Sequence, residues 1–133
     1  MALQLEIVTP AARVLTTSCD EVRLPGSSGG FGVRPGHTAL VAQLDAGELS
    51  YLNGSELHRY AVGEGFSEVA GDRVRVLVEE AFQADELDPA TAQKELAERQ
   101  KLLGGLRPDD PAFELERAHA LRAAARAFVA GRK

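Results

Sequence analysis

The run ELSYLNGSELHRYAV, Glu48 to Val62, decides the fold. Glu48 to Leu52 and Glu56 to Val62 read as two strands about Asn53-Gly54-Ser55, because Asn-Gly tolerates the positive φ angles that a tight primed hairpin turn demands. A second hairpin follows at once. Phe66 to Val69 and Val74 to Val78 flank Ala70-Gly71-Asp72, with Val74, Val76 and Val78 facing one way and Arg73, Arg75 and Leu77 the other. Upstream, Leu3, Leu5 and Ile7 alternate with Gln4, Glu6 and Val8, and Val22 and Leu24 repeat the pattern. Ten of the thirteen glycines lie at or before Gly71, so turns crowd this region. Strands this short and this regularly spaced predict an antiparallel β-sandwich.

After Leu87 the grammar changes to helix. Asp88-Pro89 sets an N-cap carboxylate before a proline at the first helical position, where its missing N–H is harmless. Ala90 to Leu103 continues that helix to Gly104-Gly105, and Asp110-Pro111 opens a second by the same chemistry, running to about Ala130. The pair should form an antiparallel hairpin with a narrow, alanine-rich seam: Ala92, Leu96 and Leu103 against Leu115, Ala118, Leu121, Ala125 and Phe128. So small a seam predicts a hairpin that opens more easily than the sandwich. The expected division is a sandwich over 1–87 and a helical hairpin over 88–133. Charge divides there too, with 6 basic against 13 acidic side chains before the boundary and 9 against 7 after it.

A chain of 133 residues, 44% hydrophobic and 26% charged, is long enough for one aliphatic core and too apolar for disorder. Its formal charge of −5 repels phosphate backbones, which argues against nucleic acid as a partner. A lone cysteine, Cys19, excludes an internal disulfide and gives a reduced compartment as the default. Met1 to Glu6 has neither the basic segment nor the apolar run of a signal peptide, and no stretch approaches the ~20 apolar residues of a membrane span. Membrane association is therefore expected only through protein partners.

No catalytic constellation is visible. His37, His58 and His119 fall on a loop, a strand and a helix without a second ligand at metal spacing, so neither a metal nor another cofactor is expected. The acidic residues are spread over alternating exposed positions rather than paired against apolar pockets. Pro25-Gly26-Ser27-Ser28-Gly29-Gly30-Phe31-Gly32 lacks the Gly-Lys-Ser/Thr of a phosphate loop and reads as a wide turn between edge strands, followed by a tighter turn at Arg34-Pro35-Gly36-His37.

Leu24-Pro25-Gly26, then Gly30-Phe31-Gly32-Val33-Arg34-Pro35-Gly36-His37-Thr38-Ala39-Leu40, resembles the signature of the epsilon subunit of the rotary F-type ATP synthase, of bacterial type. Leu5 to Pro10, Ala61-Val62-Gly63-Glu64-Gly65-Phe66-Ser67-Glu68-Val69, Val74 to Val78 and Leu87-Asp88 look like that family's pattern in order. The resemblance implies a sandwich of about ten strands followed by a two-helix hairpin. It also implies a non-catalytic central-stalk subunit at the cytoplasmic face of the inner (plasma) membrane, coupling proton flow to ATP synthesis. The implied partners are the gamma subunit and the c-ring, joined by the alpha and beta subunits when the helices extend.

By position, Ser28, Gly29, Gly30 and Phe31 match the loop that meets the c-ring, and His37 matches a gamma-facing histidine. Some members carry an acidic residue where Gly30 stands. A turn histidine satisfied by nearby backbone is the plainer reading of His37. The resemblance further implies that the hairpin restrains ATP hydrolysis, with Arg117, Arg122, Arg126, Arg132 and Lys133 offering cations to acidic loops of the beta subunits. An exposed, solvated helical face is the plainer account of any one of them. Some members bind ATP through Leu-Asp-x-x-Arg-Ala and two arginines; here Leu87, Asp88 and Ala92 match, Thr91 replaces the arginine, and Arg122 and Arg126 supply the second half, so ATP binding is expected to be weak or absent. The alternative is a free-standing nucleotide- or small-ligand-binding sandwich, which requires a concave pocket with convergent polar groups.

Overall fold

The computed structural model describes residues 2–132. Ten strands come first: β1 (Leu3–Val8), β2 (Arg13–Cys19), β3 (Glu21–Leu24), β4 (Phe31–Val33), β5 (Leu40–Leu44), β6 (Gly47–Asn53), β7 (Glu56–Val62), β8 (Gly65–Ala70), β9 (Arg73–Val78) and β10 (Ala81–Gln83). They form two five-stranded sheets, β2-β1-β9-β8-β5 and β10-β7-β6-β3-β4. The expected alternation holds: Leu3, Leu5, Ile7, Val22, Leu24, Val74, Val76 and Val78 are all buried between the sheets. Burying each such side chain contributes about 1.5–3 kcal/mol, so this aliphatic layer stabilises the sandwich without help from the helices.

Two details of the sandwich differ from the expectation. Every ladder is antiparallel except that between β1 and β9, where Leu5 stands beside Val74 and Ile7 beside Val76 in parallel register. Sequence periodicity reports which face a residue occupies and says nothing of the direction of a neighbouring strand, so this pair was not visible in advance. The hairpin turns also shift by one residue. Asn53 stays on its strand opposite Glu56, and Gly54, at φ +64°, takes the first central position of the turn. Gly71, at φ +61°, does the same in the next hairpin. One positive φ at that position is the type II′ pattern, which needs glycine there and leaves Asn53 free to pair.

Gly65 is required for a different reason. A Cβ on it would lie 1.9 Å from the Leu77 carbonyl oxygen, so the β8–β9 pair closes only over a bare backbone.

The strands are followed by a 3₁₀ turn at Ala84–Glu86, helix α1 (Pro89–Gly104) and helix α2 (Phe113–Ala130). The second helix begins later than expected, because Asp110 Oδ1 accepts from the Ala112 N–H at 2.8 Å and forms a turn before the helical ladder starts. The seam differs too. Ala92 and Ala125 are buried as expected, but Leu115, Leu121 and Phe128 are exposed. The buried face of α2 is instead Ala120, Ala123, Ala127, Val129 and Ala130, because α2 lies against β6 and β7 as well as α1. A second apolar cluster joins Ala61 and Ala84 to Leu87, Ala92, Ala127, Val129 and Ala130.

Gly65→Ala is expected to lower the unfolding free energy of the sandwich by about 3 kcal/mol, since backbone must move to admit the methyl. Gly104→Ala, with nothing within 4 Å of the added carbon, should change it by less than about 1 kcal/mol. Urea unfolding of the two variants checks this, and equal effects would contradict the close approach at Gly65.

Candidate functional site

The sandwich gathers carboxylates on one edge. Gly63 N–H donates to the Glu80 carbonyl at 2.9 Å and Glu79 N–H to the Glu64 carbonyl at 3.1 Å, so the β7–β8 and β9–β10 turns are tied together. Glu64, Glu79 and Glu80 are thereby brought to a common edge. Helix α2 presents Arg122 and Arg126 to it from one face, a single turn apart.

The contact is specific. Arg122 Nε and Nη2 donate to the two oxygens of Glu64 at 2.8 Å each, a bidentate pair in which the guanidinium is only 19% exposed. Arg126 bonds Glu80 through Nη1 and reaches Glu95 of α1 at 3.6 Å through Nη2. Arg132 donates to Glu48 at 2.6 Å, while Arg59 Nε lies 3.1 Å from the other oxygen of the same carboxylate. The Arg132 guanidinium also sits 5.1 Å from the centre of the Phe128 ring, a cation–π contact. Arg117 differs: it is exposed and only 3.9 Å from Glu114, one turn away on its own helix. Lys133 lies outside the described residues.

The Arg122 guanidinium, hydrogen-bonded to Glu64, holds that carboxyl below the usual glutamate range, against partial burial that raises it. Magnitudes show why these pairs matter. An alanine methyl contributes about 0.8 kcal/mol when buried, and a half-exposed ion pair contributes up to about 1 kcal/mol. With a docking face made mostly of methyl groups, three arginine pairs are comparable to the apolar seam.

Asp88 is engaged as the cap of α1. Its Oδ2 accepts from Thr91 N–H at 2.9 Å and from Thr91 Oγ1 at 2.7 Å. Thr91, which stands where an arginine would complete an ATP motif, thus supports the cap. Arg122 and Arg126 share a face, but both point at sandwich carboxylates.

The other expected residues lie on the sandwich loops. Ser28, Gly29 and Gly30 are exposed at the tip of the β3–β4 loop, while Phe31 is half-buried and packs on the core. The loop base is pinned to the β5–β6 turn, Ser27 Oγ donating to Asp45 Oδ1 at 2.8 Å. His37 closes a turn in which its N–H donates to the Arg34 carbonyl and Gly36 has φ +86°. Its Nδ1 donates to the Thr38 carbonyl at 2.6 Å, so the ring is oriented by neighbouring backbone. Glu21 accepts from Arg34 at 2.7 Å and from Arg23 at 3.2 Å, which fixes the start of the same turn; the Arg34 bond, foremost, lowers the Glu21 carboxyl. On the strands that flank this region Val41 and Phe66 are 72% and 54% exposed.

Nothing here assembles a reacting centre. His58 stacks on Tyr51 at 4.7 Å, and the Cys19 thiol is buried and pushed up to about 11 by that burial. Among the described residues no group of His, Cys, Asp and Glu could hold a metal, and no helix is long and apolar enough to cross a membrane. An open groove of about 770 Å³ is lined by residues that include Glu21, Arg23, Phe31, Glu48, Arg59 and Arg132. Its charges pair with one another rather than converging on the space.

The family model for the ATP synthase delta/epsilon chain beta-sandwich domain matches residues 2–84. The ATP synthase epsilon chain of Anaeromyxobacter sp. (strain K) is 48% identical over 132 residues, covering 99% of this chain and all of that one. The ATP synthase epsilon chain 2 of Syntrophotalea carbinolica is also 48% identical, over 98% of this chain and 94% of its own length. In fold, the chain is similar to one in the cryo-EM structure of the Euglena gracilis mitochondrial ATP synthase, with a TM-score of 0.76 at 23% identity over 92% of this chain and 81% of that one.

Asp88→Ala is expected to remove the cap of α1 and destabilise the hairpin by about 1 kcal/mol. Far-UV circular dichroism during urea titration should show helical signal lost earlier while the sandwich transition stays in place. No shift in the helical signal would contradict the capping role.

Proposed function

Because this chain belongs to the ATP synthase epsilon-chain family, we propose that it serves as a non-catalytic subunit of the central stalk. In this role it couples proton translocation to ATP synthesis, and its C-terminal helices restrain ATP hydrolysis. The observation that carries the reading is agreement with epsilon chains over 99% of the sequence, helices as well as sandwich.

On this reading the sandwich is the fixed contact with the stalk. Ser28, Gly29 and Gly30, exposed on a loop pinned by Ser27 and Asp45, would meet the c-ring, with Phe31 bracing the loop from behind. His37 and the exposed apolar residues Val41 and Phe66 would face the gamma subunit. Apolar side chains that stand out on a sheet face are a usual mark of a protein contact. Association with the cytoplasmic face of the inner (plasma) membrane would then come through the complex.

The boundary near residue 87 separates this foot from a regulatory hairpin. When extended, the hairpin would present Arg117, Arg122, Arg126, Arg132 and Lys133 to acidic surfaces of the alpha and beta subunits, where charge complementarity favours encounter and register. With Thr91 in place of an arginine, and with Arg122 and Arg126 bonded to carboxylates, Asp88, Arg122 and Arg126 would make at most a weak ATP site.

Removing residues 88–133 is expected to raise ATP hydrolysis by the assembled enzyme while the truncated chain still co-purifies with the gamma and c subunits. Loss of co-purification would overturn the stalk assignment, and unchanged hydrolysis would overturn the inhibitory one.

A further inference from the structure

Three of the four arginines expected to reach outward are already held by sandwich carboxylates. Arg122 is bidentate on Glu64, Arg126 is on Glu80, and Arg132 is on Glu48. All three carboxylates belong to the sandwich and all three guanidinium groups to α2 or the turn after it, so each pair forms only while the hairpin is docked. We propose that Glu48, Glu64 and Glu80 form an internal acidic dock that competes with any external acidic surface for Arg122, Arg126 and Arg132, and so sets the balance between docked and released hairpin. The proposal rests on the regulatory reading above and names the groups that control it.

Geometry explains why competition is direct. Glu64 takes the Nε/Nη2 edge of the Arg122 guanidinium, so a rival carboxylate can pair bidentately through that edge only by displacing Glu64. The apolar seam is too small to hold the hairpin regardless of charge, its α2 side being alanine with one valine. The dock also carries excess negative charge. Arg122 lies in the field of Glu79 and Glu80 as well as Glu64, and Arg126 faces Glu95 from α1. His119, one turn before Arg122, also faces Glu64, and Arg117 shares a cleft with Asp45 and Glu64. Arg59 shares Glu48 with Arg132.

The response to pH follows from these groups. The docked Glu64 carboxyl is lowered relative to the released state, so its contribution is complete above the ordinary glutamate range and is lost as pH falls through the docked value. Around neutrality the Glu64 contribution is therefore complete. Salt and competing anionic protein surfaces, rather than protons, are then what shift it.

The test uses the full chain, labelled with a donor and acceptor at Lys101→Cys and Glu68→Cys, both exposed positions, while buried Cys19 stays unlabelled. Glu64→Gln and Glu80→Gln should each raise the released population about threefold, with the double variant larger and less sensitive to salt. Glu64→Arg combined with Arg122→Glu should restore docking that either change alone weakens. Unchanged energy transfer in the glutamine variants would overturn the dock, as would failure of the swapped pair to restore it. In the assembled enzyme, release by Glu64→Gln/Glu80→Gln should deepen inhibition of hydrolysis. Release of the hairpin without such a change would uphold the dock and overturn the inhibitory role instead.

Discussion

The hairpin rests on the sandwich through methyl groups and charge, and this mixed contact is what holds the two parts together. Alanines 120, 123, 127 and 130 let α2 approach β6 and β7 closely, but each removes little apolar surface from water. A leucine face would have fused the two parts into one core. With alanine, arginine–carboxylate pairs supply a comparable share of the docking free energy, and such pairs are exchangeable for others of the same kind. The sandwich has no such dependence, since its own aliphatic layer is complete between its two sheets.

On the proposed reading, rigidity and release are divided along the chain. The loops that would meet the rotor are pinned by short-range bonds within the sandwich: Ser27 to Asp45, Arg34 to Glu21, Gly36 N–H to Asp72. Glu64 holds the bidentate contact between the two parts, and its position follows from its neighbours. Gly63 and Gly65 allow the β9–β10 turn and the end of β9 to pack against the backbone on either side of it, which leaves its carboxylate projecting from the edge. The same family-like Gly63-Glu64-Gly65 run therefore serves strand closure and hairpin docking together.

Much of this was legible in the sequence, and the limits have physical causes. Alternation along β1 and β9 identified the core residues because a pleated strand separates its faces by parity. Asp88-Pro89 marked the start of α1 because capping is local. The parallel β1–β9 pair, by contrast, depends on a contact between residues some seventy positions apart, about which periodicity is silent. The buried face of α2 differs from expectation for a related reason: Leu115, Leu121 and Phe128 are large and apolar, yet close approach to a sheet favours alanine. The arginines were recognisable as a cluster, and the excess of acid before residue 88 was visible as a number. Which carboxylate meets which arginine required the two turns to be brought together in space.

The central claim is that the helices leave the sandwich without unfolding it. Native-state hydrogen exchange tests this most directly. Amides of α2 should exchange through an opening whose free energy lies several kcal/mol below that of β1 and β9, and raised salt should lower the first without moving the second. A single opening free energy shared by α2, β1 and β9, unaffected by salt, would mean one indivisible core and would contradict the account.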